Sequence, residues 1–455
     1  MQENESDWLL VTYQKQQREK EGNMKSVNIG LMGLGTVGKG VFDAIISNGP
    51  LIAERTGVSL VIKSVCDKDK KVLQSINCSQ NLTRTISADD IINDEDVDIV
   101  VELIGGVDPA RDILLKALRG KKHVVTANKA LLSAHWKEIF AAASDNGVFL
   151  NFEASVGGAI PIIRTLRESF VANRINTIYG IQNATTNFIL SLMDESGYSF
   201  DEALEIAQKK GIAEKDPELD VSGKDSAHKL VLLSLLSFGM NVSLEDIFTE
   251  GITDIDSQDI RNAREWGYNV KLLAIAKNSP DGLQLRVHPT LLPSSHLLSD
   301  VRGTDNAIFV RGDLIGEALL FGKGAGSKPT SSSVIGDIVE IARHIALAGD
   351  SPPPYKLNYA SSDRQIRRME DLSISFYFRF SVLDKPGVLA SISSILAENN
   401  ISIANVSQEE RNVGGTVPVV ILTHKAKEGD MRKAISGINS QDYVSDNTVV
   451  IRMEE

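Results

Sequence analysis

Between Glu214 and Lys229 the chain gathers groups that move protons or hold an amine: Glu214, Asp216, Asp220, Asp225 and Lys229. Asp225 and Lys229 stand four apart, so a helix beginning near Ser222 carries both on one face. A lysine placed there can take a proton from a hydroxyl and return it. Glu214 and Asp220 suit an ammonium group through charge-assisted hydrogen bonds. The same residues also read as plain structure, with Ser222 and Asp225 capping a helix and Asp225 pairing with Lys229 on its surface. The very apolar run Leu230–Met240 follows directly, which places the charged groups at the mouth of a buried element.

The elements that position this segment start near the other end of the chain. Val27–Met32 is a short apolar run that leads into Gly33-Leu34-Gly35-Thr36-Val37-Gly38 and then a helical pattern, Val41, Phe42, Ile45, Ile46. Strand, glycine turn and helix in that order let the backbone approach a pyrophosphate and offer it the helix N–H groups. A second strand, Ser59–Cys66, ends at Asp67, which suits the ribose hydroxyls of a dinucleotide. Lys68, Lys70 and Lys71 follow and suit a 2'-phosphate instead, so the choice between NAD and NADP stays open, as does a plain loop role for Asp67. Asp98–Ile104, the turn Gly105-Gly106 and the helix 109–119 form a third unit. The strand His123–Thr126 then delivers Lys129 to the carboxyl end of the sheet, where ligands of open parallel sheets bind. A surface lysine after an Asn128 cap is the alternative. Val148–Glu153 reads as a further strand before Gly157-Gly158, whose carbonyls could join Glu153 around a hard cation or simply form a turn.

Composition limits the partners. A chain of 455 residues, 42% hydrophobic and 24% charged, suffices for two to four domains. The net charge of -12 argues against broad contact with nucleic acid or an anionic membrane. Two cysteines, Cys66 and Cys78, supply neither a disulfide framework nor a four-cysteine metal site, which suits a reducing, cytoplasmic setting. The longest apolar run is too short to span a bilayer. With a dinucleotide on the first domain, hydride transfer at an alcohol carbon needs a group for the hydroxyl proton. Little is left for a zinc site, so a lysine must serve.

Taken together, the glycine turn 33–38, Thr126-Ala127-Asn128-Lys129, the stretch from Glu153 to Pro161, and Asp216-Pro217 with Asp220, Gly223, Asp225 and Lys229 resemble homoserine dehydrogenase from about Val27 to Gly349. The resemblance implies reversible NAD(P)-dependent reduction of L-aspartate 4-semialdehyde to L-homoserine, on the route to threonine, methionine and isoleucine. It makes Lys229 the proton donor and Lys129 a second catalytic lysine that also meets the cofactor. It makes Glu214 the homoserine-binding glutamate, with Asp220 and Asp225 orienting substrate. Gly33, Leu34, Gly35, Thr36, Val37, Gly38, Asp67, Gly105, Lys129 and Gly326 become cofactor contacts. Glu153, by its side chain, with the carbonyls of Val156, Gly158 and Ile160, matches the family's sodium site. Ala184 departs from the resemblance, which has glycine in an Asn-Gly-Thr-Thr-Asn run, and the added methyl could narrow the pocket. His288, on a strand between Val287 and Pro289, reads as structural.

Beyond a proline-rich linker, residues 350–371, the pattern becomes strand, helix, strand, strand, helix, strand, a ferredoxin-like order. Asp384-Lys385-Pro386-Gly387-Val388-Leu389-Ala390 resembles an ACT domain. That implies an amino-acid effector, threonine by expectation, with plain dimerisation as the alternative. The expected architecture is a mobile tail, 1–23, and a Rossmann-type α/β domain, 24–155, completed by a helix at 334–347. An α+β catalytic and dimerisation domain, 156–333, and an ACT domain, 372–455, follow in a homodimer or homotetramer. Removing everything past Pro352 is expected to spare catalysis.

Overall fold

The computed structural model describes residues 24–76, 81–349, 351–353, 365–408, 412 and 415–455. The tail 1–23, Cys78 and most of the linker lie outside the described residues. The chain divides into two compact units, one of residues up to Ala159 with the stretch from Ala325, the other of Ile160–Gly324 with the C-terminal segment.

The first unit is a six-stranded parallel sheet in the order β3-β2-β1-β4-β5-β6. Its strands are β1 (Lys25–Met32), β2 (Val58–Cys66), β3 (Thr83–Thr85), β4 (Ile99–Glu102), β5 (His123–Thr126) and β6 (Leu150–Asn151). This order reverses direction at β1, and the crevice outside that point is where such sheets take dinucleotides. Val27, Ile29 and Leu31 are fully buried in the core, against Val41, Phe42 and Ile45 of the helix Thr36–Thr56. The sequence expected a strand over 148–153, but only Leu150–Asn151 pairs, and Glu153–Ser155 is a 3-10 turn. The N–H of Glu153 donates to Asp337 Oδ2 at 2.8 Å, so a side chain takes the bond that a neighbouring strand would need. Asp337 lies on the helix Ser327–Ala348, which begins seven residues before the predicted 334 because Pro329 is compatible with a first turn.

The second unit is built on an eleven-stranded sheet among the described residues. Its strands are β7 (Ile175–Ile181), β8 (Phe248–Thr249), β9 (Tyr268–Ser279), β10 (Gly282–Pro293), β11 (Asp305–Gly312), β12 (Gly316–Lys323), β13 (Ser373–Leu383), β14 (Ile403–Ser407), β15 (Thr416–Thr423), β16 (Ala426–Lys427) and β17 (Val444–Met453). The main path runs β12-β11-β7-β9-β10-β17-β13-β15-β14, with β8 beside β10 and β16 beside β13. Alternate residues of β13, namely Phe376, Phe378 and Phe380, bury one face against Ile392, Leu396, Ala434 and Ile438 of the helices Val388–Glu398 and Glu428–Asn439.

The C-terminal strands therefore continue the catalytic sheet. β17 lies between β10 and β13, and Arg379 donates twice to the fully buried Asp259, at 2.6 and 3.0 Å. Glu454 is buried among Lys277, Arg286 and Tyr179. A cut past Pro352 would remove an interior strand and leave the guanidinium of Arg286 without its carboxylate.

Candidate functional site

In the first unit the glycine turn closes by Gly33 N–H donating to the Cys66 carbonyl at 2.8 Å. Gly33 has φ +86, and a Cβ there would strike the backbone of Leu103. A Cβ on Gly38 would collide with the Gly33 carbonyl oxygen, whereas one on Gly35 would meet nothing within 4 Å. Gly35 caps the helix Thr36–Thr56, and no side chain bonds to its first N–H groups. That is the shape and polarity of a pyrophosphate cradle. Leu34 N–H donates to Asp67 Oδ2 at 2.7 Å and Asp69 N–H to Asp67 Oδ1 at 2.9 Å. Asp67 is thus more than a solvated charge: it fixes the turn and sets a carboxylate at the end of β2.

Two further attachments hold this cradle. Ser327 Oγ donates to the Thr36 carbonyl at 2.7 Å, which brings Gly326, the residue before it, to the start of the glycine-turn helix. Gly105 adopts φ +79, and Glu102 clamps the turn. The Glu102 side chain, fully buried, accepts from Ile104 N–H at 2.8 Å and from Thr126 Oγ1 at 2.6 Å. Sequence reading passed over Glu102; an acid inside the apolar run Ile99-Val100-Val101 was the available signal. Lys129 opens the helix Lys129–Asn146, capped by Asn128, whose side chain accepts from Leu131 N–H at 3.1 Å.

In the second unit a buried polar cluster forms at the head of the helix Lys224–Phe238. Lys229 Nζ donates to Asp225 Oδ2 at 2.6 Å and to the main-chain carbonyl of Gln182, just past the end of β7. Asn183 Nδ2 donates to Asp225 Oδ2 at 2.9 Å and to Asp220 Oδ1 at 2.7 Å. Thr185 Oγ1 reaches Asp220 Oδ2 at 2.9 Å. Asp225 is 3% exposed and Lys229 7%, which overturns the surface ion pair. The capping alternative fails too: Gly223, at φ +82, precedes the helix, no side chain caps it, and Ser222 Oγ is buried without a partner.

The structure thus unites Asp220, Asp225 and Lys229 and adds Asn183 and Thr185, the residues on either side of Ala184. Asn183 caps the helix Ala184–Ser196, its Oδ1 accepting from Thr186 N–H at 2.8 Å. Ala184 is its first residue, in ordinary helical backbone, so the position does not require glycine. Glu214 stands apart, exposed on a loop where its main-chain carbonyl accepts from Gln208 at 3.2 Å. The side-chain amides of Gln182 and Asn306, each 1% exposed, have no hydrogen-bond partner.

His288 is structural, as expected. It is fully buried, Nδ1 lies 2.9 Å from the Pro289 carbonyl, and burial pushes its pKa well below the ordinary range, helped by Arg452 and Arg286. Of the four residues matched to a sodium site, Glu153 is buried in its 3-10 turn. The Gly158 carbonyl accepts from Ser333 Oγ at 2.7 Å, and the Ile160 carbonyl from Ile162 N–H at 2.8 Å. Among the described residues no cluster of three or more His, Cys, Asp or Glu could hold a metal. One carboxylate with carbonyl oxygens suits only a hard cation. No helix among the described residues is long and apolar enough to cross a membrane.

Residues 33–153 match the family described as homoserine dehydrogenase, NAD binding domain, residues 161–339 homoserine dehydrogenase, and residues 376–438 the ACT domain. A homoserine dehydrogenase of Neisseria gonorrhoeae is 42% identical over 433 residues, covering 95% of this chain and 99% of its own. The crystal structure of a homoserine dehydrogenase from Thiobacillus denitrificans superposes with a TM-score of 0.88 at 41% identity, over 95% of this chain and 99% of that one. A hyperthermophilic archaeal homoserine dehydrogenase in complex with NADPH gives a TM-score of 0.60 at 30% identity, over 70% of this chain and 97% of that one.

Proposed function

The chain belongs to the homoserine dehydrogenase family of oxidoreductases acting on CH–OH groups, and we propose that it interconverts L-aspartate 4-semialdehyde and L-homoserine with NAD or NADP. The observation that carries this reading is the buried cluster in which Asp225 and the Gln182 carbonyl fix the amine of Lys229. A bound nicotinamide coenzyme supplies or accepts the hydride. Lys229 gives a proton to the aldehyde oxygen during reduction and takes the hydroxyl proton during oxidation. Asp225 holds that amine in place. Asp220, tied down by Asn183 and Thr185, orients substrate, and Glu214 binds its ammonium by a charge-assisted hydrogen bond. Lys129 serves as a second catalytic lysine.

The turn 33–38 with Asp67, Gly105 and Gly326 forms the coenzyme cradle in this reading. The open face at Gly35 and the uncapped helix start support it. Glu153 with the carbonyls of Val156, Gly158 and Ile160 would hold a sodium ion. Thermal unfolding in sodium against potassium or lithium salts tests that site. The reading extends to a cytoplasmic homodimer or homotetramer, tested by light scattering, on the route to threonine, methionine and isoleucine. The ACT domain suggests regulation by an amino acid, here threonine.

The deciding assay mixes homoserine with each oxidised coenzyme. Reduced nicotinamide should accumulate only with homoserine present and without release of ammonia. Ammonia release would reassign the enzyme to an amino-acid C–N bond, and no reduction at all would leave a dinucleotide-fold amino-acid sensor.

A further inference from the structure

The segment after β8 carries a carboxylate that reaches the C-terminal strands. β8 lies parallel to β10, with Phe248 beside Arg286 and Thr249 beside Val287, and Glu250 extends the pairing by donating its N–H to the Val287 carbonyl at 2.8 Å. The Glu250 side chain, 39% exposed, accepts from Arg452 Nη1 at 2.9 Å. Arg452, on β17 and 4% exposed, is itself fixed. Its Nε and Nη2 fork onto the fully buried Glu428 at 2.9 and 2.7 Å, and its guanidinium lies 4.7 Å from the centre of the Phe248 ring. A guanidinium held at two nitrogens and stacked on a ring is a rigid anchor. The Glu250 carboxylate therefore ends on a fixed point.

The main chain around that carboxylate seats the turn leading into the helix Lys224–Phe238. Ile252 N–H donates to the Val221 carbonyl at 2.9 Å. A Cβ on Gly251 would strike that same carbonyl oxygen and the Ser222 Cα. A Cβ on Gly223 would come within 3.3 Å of the Glu250 carbonyl oxygen and of Thr249. The turn 221–223 thus sits on residues 249–252 with no room to spare, and in the chain it joins Asp220 to the helix that bears Asp225 and Lys229. No side chain caps that helix, so its first turn takes its place from this seat. We propose that Glu250 is a positioning residue: tethered by Arg452, it holds the turn 221–223 and, through it, keeps Asp220, Asp225 and Lys229 in working geometry. The effect on turnover rests on the proposed dehydrogenase reading, whereas the seating of the turn does not.

Two variants of the full chain test it. Glu250→Ala cuts the tether, while Glu250→Gln drops the charge but keeps an oxygen that can accept from Arg452. Glu250→Ala should lower kcat/KM for homoserine by about fivefold or more, within the roughly 10² that an ångström of misplacement costs. The loss should include a higher homoserine KM, and Glu250→Gln should retain most of the wild-type value. The coenzyme KM, set by the glycine turn of the first unit, should stay unchanged in both. A lower melting temperature with both KM values unchanged would mark a merely structural residue and overturn the proposal. Equal losses in the two variants also overturn it, because the charge and not the tether would then matter. Amide exchange of the segment 218–224, followed by mass spectrometry, reads the seat without turnover. Glu250→Ala should speed that exchange, and unchanged exchange overturns the proposal. If the wild-type enzyme oxidises no homoserine, the dehydrogenase reading fails by itself and the exchange measurement still decides on the seat.

Discussion

Replacing Lys229 by methionine keeps the stem of the side chain and removes the amine. Two effects follow from the geometry. The proton donor is lost, which general acid catalysis values at roughly 10² to 10⁴ in rate, or about 3–5 kcal/mol of transition-state stabilisation. Asp225, 3% exposed, also loses its ion-pair partner while keeping the bond from Asn183 Nδ2 at 2.9 Å. Breaking a buried pair by removing one partner costs about 3–5 kcal/mol, and the remaining amide bond puts this case toward the lower end. Lys229→Met combined with Asp225→Asn removes the buried carboxylate as well as the amine. The double variant should therefore regain most of the stability while turnover stays down. Steady-state formation of reduced nicotinamide, chemical denaturation and coenzyme titration separate the effects, with coenzyme affinity expected to stay at the wild-type level. Turnover within about tenfold of wild type in the single variant, or recovery of turnover in the double variant, would refute the role of the amine.

Other outcomes follow from the same geometry. Gly35→Ala should fold normally and raise the coenzyme KM, because its methyl enters open space in the cradle, whereas Gly38→Ala should destabilise the domain through its collision with the Gly33 carbonyl; thermal unfolding and coenzyme titration distinguish them. Asp67→Ala should lower kcat/KM for NAD more than for NADP, since a carboxylate at the end of β2 repels a 2'-phosphate, and parallel kinetics with both coenzymes will show it. Burial pushes the Glu454 carboxyl up, but Arg286, Lys277 and the Tyr179 hydroxyl carry it below the usual carboxylate range. Its contribution to stability is thus complete above the unfolded value near 4.5 and is lost as pH falls through the lower folded value. Glu454→Gln should flatten that acid limb in denaturation measured against pH.

Much of the first unit was legible because its signals are local. A glycine turn between an apolar strand and a helix, or an acid at a strand end, needs no tertiary information. The limits of β6 and of the helix at Ser327 were not legible, because Asp337 reaches from that helix to the N–H of Glu153. Lys229 and Asp225 announced themselves by spacing, but whether they formed a surface pair or a buried one turned on burial, which spacing does not encode. Asn183 is an ordinary cap residue in sequence; its second role, and that of Thr185, appears only when the segment just past β7 meets Asp220, Asp225 and Lys229. The C-terminal module read as separable because a linker precedes it, yet β17 pairs in parallel with β10 through Thr290 and Leu291. Such a long-range pairing leaves no mark in the local pattern.

The most direct test is a structure of the enzyme with oxidised coenzyme and homoserine bound. Lys229 Nζ should lie within roughly 2.6–3.2 Å of the homoserine hydroxyl, still braced by Asp225. A hydroxyl bound to another group, with the lysine amine turned from the substrate, would contradict it.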